Sequence, residues 1–221
     1  MKRSMIAVLG LATMLAFGAL AHGSVIYTTG QDEHGDLIAH EEVAWANDHV
    51  GRLFTTPGSG SGWSGLSIEA VVGTSTYGSA KDESFDVLAQ IFTAGGEEGL
   101  PDTLVGFATF VDVPRWYATW AGGSGDKAEF RTADFEGTML LDPGTDYWLV
   151  MSIADLPSGP NLVWSHNGEV VSQDHRASTS SGEWQYSSAD GYSGAFQIVP
   201  EPATLSLLAL GGLALSRRRR R

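Results

Sequence analysis

The chain contains no cysteine. Disulfide staples, thiol nucleophiles and cysteine-ligated zinc are thereby excluded, and stability has to come from a packed core. Positive charge is also scarce, with 13 lysines and arginines against 26 aspartates and glutamates. Seven of the 13, namely Lys2, Arg3 and Arg217 to Arg221, sit at the two ends, whereas every acidic residue lies between Asp32 and Glu201. The part between the ends therefore sets six basic residues against those 26, a formal charge near −20. Such a surface repels nucleic acid and anionic lipid and keeps a protein soluble. Carboxylates spread in this way read as a solvated face; a sharper reading has some of them collecting divalent cations. Helical periodicity is missing too, since no stretch between the ends sustains a 3.6-residue repeat over three turns. Long apolar runs occur only at the ends.

At the N-terminal end, Lys2 and Arg3 precede an apolar stretch from Met5 to Leu20, and Ala19-Leu20-Ala21 puts small residues at the two positions a signal peptidase reads. Residues 1–21 are expected to be a secretory signal peptide cut after Ala21, with Gly23 as the alternative. At the other end, Val199-Pro200-Glu201-Pro202 leads into an apolar run from Ala203 to Leu215, then Ser216 and Arg217, Arg218, Arg219, Arg220 and Arg221. A helix over that run reaches about 20 Å at 1.5 Å per residue, short of the roughly 30 Å hydrocarbon core. Consecutive arginines resist translocation and hold their end in the cytoplasm. The two prolines stop the helix from running backwards and keep the preceding backbone extended, open to a processing enzyme.

This order of elements resembles the PEP-CTERM sorting signal of Gram-negative bacteria: the tripeptide Pro200, Glu201, Pro202, a short transmembrane helix over 203–215, and the basic cluster 217–221. The resemblance implies recognition by a membrane-embedded exosortase that cuts near the tripeptide. It also implies passage through the secretion machinery and signal peptidase, and membrane contact through the helix before processing. The destination it implies is the cell envelope, the cell surface or the extracellular matrix. A plain tail anchor or a terminal core helix is the alternative, and five arginines in a row argue against the core helix.

Three parts follow: the signal peptide 1–21, an exported acidic domain 22–198, and the sorting tail 199–221. Residues 22 to about 50 are poorly patterned, with Val25-Ile26-Tyr27 as a first strand. Val50 to Thr56 leads into the turn Pro57 to Gly62. From there the apolar period is two: Leu66, Ile68, Ala70 and Val72 alternate with Ser67, Glu69 and Val71, and Phe85, Val87, Ala89 and Ile91 form a second such set. Further strands are expected at Leu104 to Val111, Arg115 to Ala121, Ala128 to Thr132, Gly137 to Leu141, Tyr147 to Ile153, Leu162 to Ser165, Glu183 to Tyr186 and Ala195 to Val199. Turns at Gly95-Gly96, Asp142-Pro143-Gly144 and Asn167-Gly168 separate several of them. The pattern is that of an all-β antiparallel β-sandwich of jelly-roll type, with a closed barrel as the alternative.

Gly99-Leu100-Pro101-Asp102-Thr103-Leu104-Val105-Gly106, Leu141-Asp142-Pro143-Gly144-Thr145-Asp146-Tyr147-Trp148-Leu149-Val150 and Gly182-Glu183-Trp184 resemble segments of the choice-anchor family of bacterial surface domains. That resemblance implies a β-sandwich carried by an interchangeable sorting tail.

Catalytic constellations are absent from the pattern. Gly62-Trp63-Ser64-Gly65 needs a glycine where Leu66 stands to make a nucleophile elbow. Asp32, His34, Asp36 and His40 match neither a calcium loop nor a zinc motif, and His40-Glu41-Glu42-Val43-Ala44 has Ala44 in place of the second zinc histidine. No catalytic residue, metal site or cofactor is expected, with Ca²⁺ kept as the one open case. The aromatics have two readings. Trp116, Trp120, Trp164 and Trp184 either fill the core of a cysteine-free sandwich or stack on the sugar rings of an extracellular polysaccharide. The expected role is non-enzymatic: a surface or matrix protein, with a carbohydrate-binding module as the alternative.

Overall fold

Alternating side chains commit a segment to a half-buried strand, and strands make up most of the described residues. A computed structural model describes residues 25–29, 43–46, 49–60, 62–75, 84–114, 129–154, 161–171, 176–179, 183–186 and 191–200. Among the described residues the strands are β1 (Tyr27–Thr28), β2 (Val43–Ala46), β3 (His49–Thr55), β4 (Leu66–Ser75), β5 (Ser84–Thr93), β6 (Leu104–Pro114) and β7 (Glu129–Asp134). The chain continues through β8 (Asp146–Ile153), β9 (Asn161–Val171), β10 (Arg176–Thr179), β11 (Trp184–Tyr186), β12 (Gly191–Gly194) and β13 (Phe196–Pro200). A single 3₁₀ turn, Glu97–Gly99, lies between β5 and β6.

The strands form two antiparallel sheets. One has the order β1-β13-β4-β9-β12, with β2 also on β9 and β7 also on β4; the other runs β11-β10-β3-β8-β5-β6. Leu66, Ile68, Ala70 and Val72 of β4 face Val87, Ala89 and Ile91 of β5 and Leu149 and Met151 of β8 across one buried core. Phe54, Trp164, Phe196 and Ile198 belong to the same core. The architecture is a β-sandwich, and its residues Val25–Val199 form one compact unit.

One strand is buried on both faces. Tyr147, Leu149 and Met151 of β8 point into the main core, while Trp148 and Val150 point to the outer side and pack with Ala177. Leu53, Phe92, Ala94, Leu100, Trp184 and Tyr186 surround that second cluster. The loop after β5 folds over it, because the Trp148 indole N–H donates to the Gly99 carbonyl at 2.8 Å and the Tyr186 hydroxyl donates to the Glu98 carbonyl. Gly51 makes room beneath, since a Cβ there would meet the Trp148 ring at 3.2 Å.

The exposed edge of β6 is partly closed. The Glu136 N–H donates to the Phe107 carbonyl at 2.8 Å, and the Arg131 guanidinium donates to the Val111 carbonyl at 3.1 Å. Capping of this kind removes free hydrogen-bonding groups from a sheet edge.

Several expectations from the sequence change. Gly137 to Leu141 is not a strand; Gly137 adopts φ +78°, which turns the chain, and only Leu141 pairs, in a bridge with Trp63. Asn167-Gly168 is not a turn but the middle of β9, because β12 pairs with the segment beyond it and continues the ladder. Strands β2, β3, β10 and β12 had no clear alternation to announce them. The strand expected at Arg115 to Ala121 lies outside the described residues, as do the signal peptide 1–21 and the apolar run 203–215. Among the described residues no helix is long and apolar enough to cross a membrane.

Candidate functional site

The segment next to the sorting tripeptide is the last strand of the sandwich. Phe196 and Ile198 alternate with Gln197 and Val199, so the apolar pair enters the core and both of its members are fully buried. Gln197 takes the opposite face, where its amide donates to the Glu69 carboxylate. Pro200 closes the strand, a position that tolerates the missing N–H.

β1 holds this strand on its other side. Tyr27 lies opposite Ile198 and Thr28 opposite Gln197. The Ile26 N–H donates to the Ile198 carbonyl at 2.9 Å and the Thr29 N–H to the Phe196 carbonyl at 3.0 Å. The Thr29 hydroxyl adds to this, accepting from the Phe196 N–H at 3.0 Å and lying 3.2 Å from the Phe196 carbonyl. The Tyr27 ring stacks on Phe196 with centroids 5.0 Å apart and leans on Phe54 at 5.1 Å. The chain is thus tied down as far as Ile198, two residues before the tripeptide. Glu201, Pro202, Arg217, Arg218, Arg219, Arg220 and Arg221 lie outside the described residues, as do Ala19 and Ala21.

The four tryptophans chosen for sugar stacking separate. Trp164 is 1 % exposed, with its indole N–H donating to the Ala195 carbonyl at 3.0 Å and its ring beside Phe196. A ring enclosed in this way has no face to offer a ligand, so Trp164 is a core residue and not a stacking platform. Its parity with buried Leu162 was the signal in the sequence. Trp184 is half-buried on β11, edge-on to Phe92 at 6.1 Å and to His49 at 6.2 Å. His49 is exposed, with the Thr179 hydroxyl 3.4 Å from its Nδ1. Trp116 and Trp120 lie outside the described residues.

Titratable groups give little further chemistry. Asp32, His34, Asp36, His40 and His175 lie outside the described residues, and His49 stands on β3 whereas Ser64 of the broken elbow precedes β4 and belongs to no strand. Among the described residues no three His, Asp or Glu side chains meet in a way that could hold a metal ion. No sequence pattern announces two arginines that face each other on neighbouring strands. Arg52 shares the inward face of β3 with Val50 and Phe54, is 5 % exposed, and reaches the Gly194 carbonyl at 3.5 Å. Arg176 lies directly opposite it on β10. Burial lowers the Arg176 pKa below its ordinary value.

Residues 199–221 match the PEP-CTERM protein-sorting motif. No curated protein gives a significant match to the chain. The motif implies export of the chain, association with the cell envelope and recognition by exosortase.

Proposed function

We propose that this protein is a non-enzymatic structural or interaction domain delivered to the cell surface or extracellular matrix by its own sorting tail. The observation that carries the reading is continuity: the last strand of an acidic β-sandwich runs through Pro200 into the detected sorting motif. The resemblance to choice-anchor domains points the same way. Producing the full chain with and without an exosortase tests it by mass and fractionation. A shorter, envelope-associated product only with the enzyme is the expected result; identical mass and location in both strains would overturn it.

Binding of a matrix polysaccharide is the second reading, and the half-buried Trp184 beside exposed His49 and Thr179 favours it. A glycan array run with and without Ca²⁺ decides. Binding that Trp184→Ala abolishes supports the module, and an empty array removes it.

A further inference from the structure

We infer that the sandwich gates its own sorting: docking of β13 and processing at the tripeptide are mutually exclusive, so the tail is cut before the last strand docks or after it peels away. This rests on the exosortase reading given above. A processing enzyme takes its substrate as an extended segment free of other pairing, and cleavage therefore follows the burial and hydrogen bonding of the backbone around the cut. Here those bonds extend to the edge of the motif. Phe196 and Ile198 are fully buried, and Gln197 is nearly so. The Phe196 and Ile198 carbonyls accept from the Thr29 and Ile26 N–H groups on either side of β1, and β13 lies between β1 and β4 in the sheet. The strand includes Pro200 itself. No spacer separates the fold from the tripeptide, so any enzyme subsite upstream of Pro200 competes with the ladder for the same residues.

The competition is a conformational control built into the carrier. When opening and closing are fast relative to cleavage, the cut tracks the population of the opened strand. Stability of the β1–β13 pairing then sets the rate at which the tail is removed, independently of the tripeptide sequence. A chain whose domain has not yet folded is the better substrate.

A lock and a spacer test this in the full chain, followed by pulse-chase in cells that export it alongside an exosortase. Thr28 and Gln197 lie directly opposite each other on the face away from the main core. The doubly substituted Thr28→Cys, Gln197→Cys chain has no other cysteine with which to mispair. The oxidised lock is expected to slow processing by about tenfold or more, and reductant to restore the rate. Inserting about eight Gly and Ser residues between Val199 and Pro200, some 15 Å of flexible reach, is expected to rescue the locked chain. Thr29→Ala, which loosens β13 without entering the core, is expected to speed processing. Wild-type rates in the oxidised lock, or a locked chain that the spacer fails to rescue, would overturn the gate. Its failure is separable from failure of the sorting reading: if the unlocked chain is processed and Glu201→Ala blocks that step, sorting stands whatever the lock does. If the unlocked chain is never processed, the sorting reading falls.

Discussion

The indole of Trp164 lies against the bare backbone of Gly194, so close that a Cβ built on the glycine would sit 1.8 Å from the ring. Gly194 therefore contributes by having no side chain. Gly194→Ala forces the largest inward-facing ring of β9 out of its place, and overpacking of this kind costs about 3 kcal/mol. At Gly106 a Cβ would meet the Met139 side chain at 2.6 Å. Methionine is adaptable, so Gly106→Ala should cost less, about 1–2 kcal/mol. Urea unfolding of both variants checks the order; equal losses would contradict it.

Trp148 ties the loop over the second cluster. Trp148→Phe keeps an apolar ring but leaves the Gly99 carbonyl without its 2.8 Å donor. The expected loss is about 1–2 kcal/mol, together with faster amide exchange across residues 96–100. Unchanged exchange there would show that the loop is held by other means.

Arg176 is half-buried opposite Arg52, and burial disfavours its charged form. The folded state disfavours the charged form, so stability from this group rises with pH only in the strongly alkaline window between its lowered value and the ordinary arginine value. Across neutral pH the penalty is constant. Arg176→Met should leave stability unchanged or raise it by about 1 kcal/mol, measured as the urea midpoint at pH 7. A clear loss would mean that the charge is compensated.

Asp112 adopts φ +53°, in the left-handed region, while its N–H donates to the Asp86 carboxylate at 3.0 Å and its own carboxylate accepts from Ser84 at 3.1 Å. Asn tolerates this backbone and a β-branched residue does not. Asp112→Val is expected to be about 1–2 kcal/mol less stable than Asp112→Asn in thermal unfolding.

Strands β4 and β5 were legible in the sequence because their alternation is clean: Leu66 to Val72 and Phe85 to Ile91 each put one set of apolar side chains on one face. β3 was not, since its inward face reads Val50, Arg52, Phe54 and its outward face includes Gly51, which is small because Trp148 lies over it. An interior arginine and a glycine under a ring both erase the pattern that identifies a strand. Trp148 shows the other limit. Alternation placed Tyr147 and Trp148 on opposite faces, but only the side chains of β10 and β11 together with the loop 94–100 make the second face interior. Asn167-Gly168 carried turn chemistry that pairing with β12 overrode. The tripeptide and its basic cluster were readable outright, whereas the pairing of β1 with β13 joins segments whose contact no local pattern announces.

That pairing also orders the making of the protein. The bond between Phe196 and Thr29 spans 167 residues, and β13, the last strand to be synthesised, takes a place between β1 and β4. No N-terminal fragment can complete the sheet, so the sandwich assembles only once the whole domain is available. Such long-range pairing makes folding slow. For an exported chain, that delay keeps the sheet incomplete until its last described strand is available.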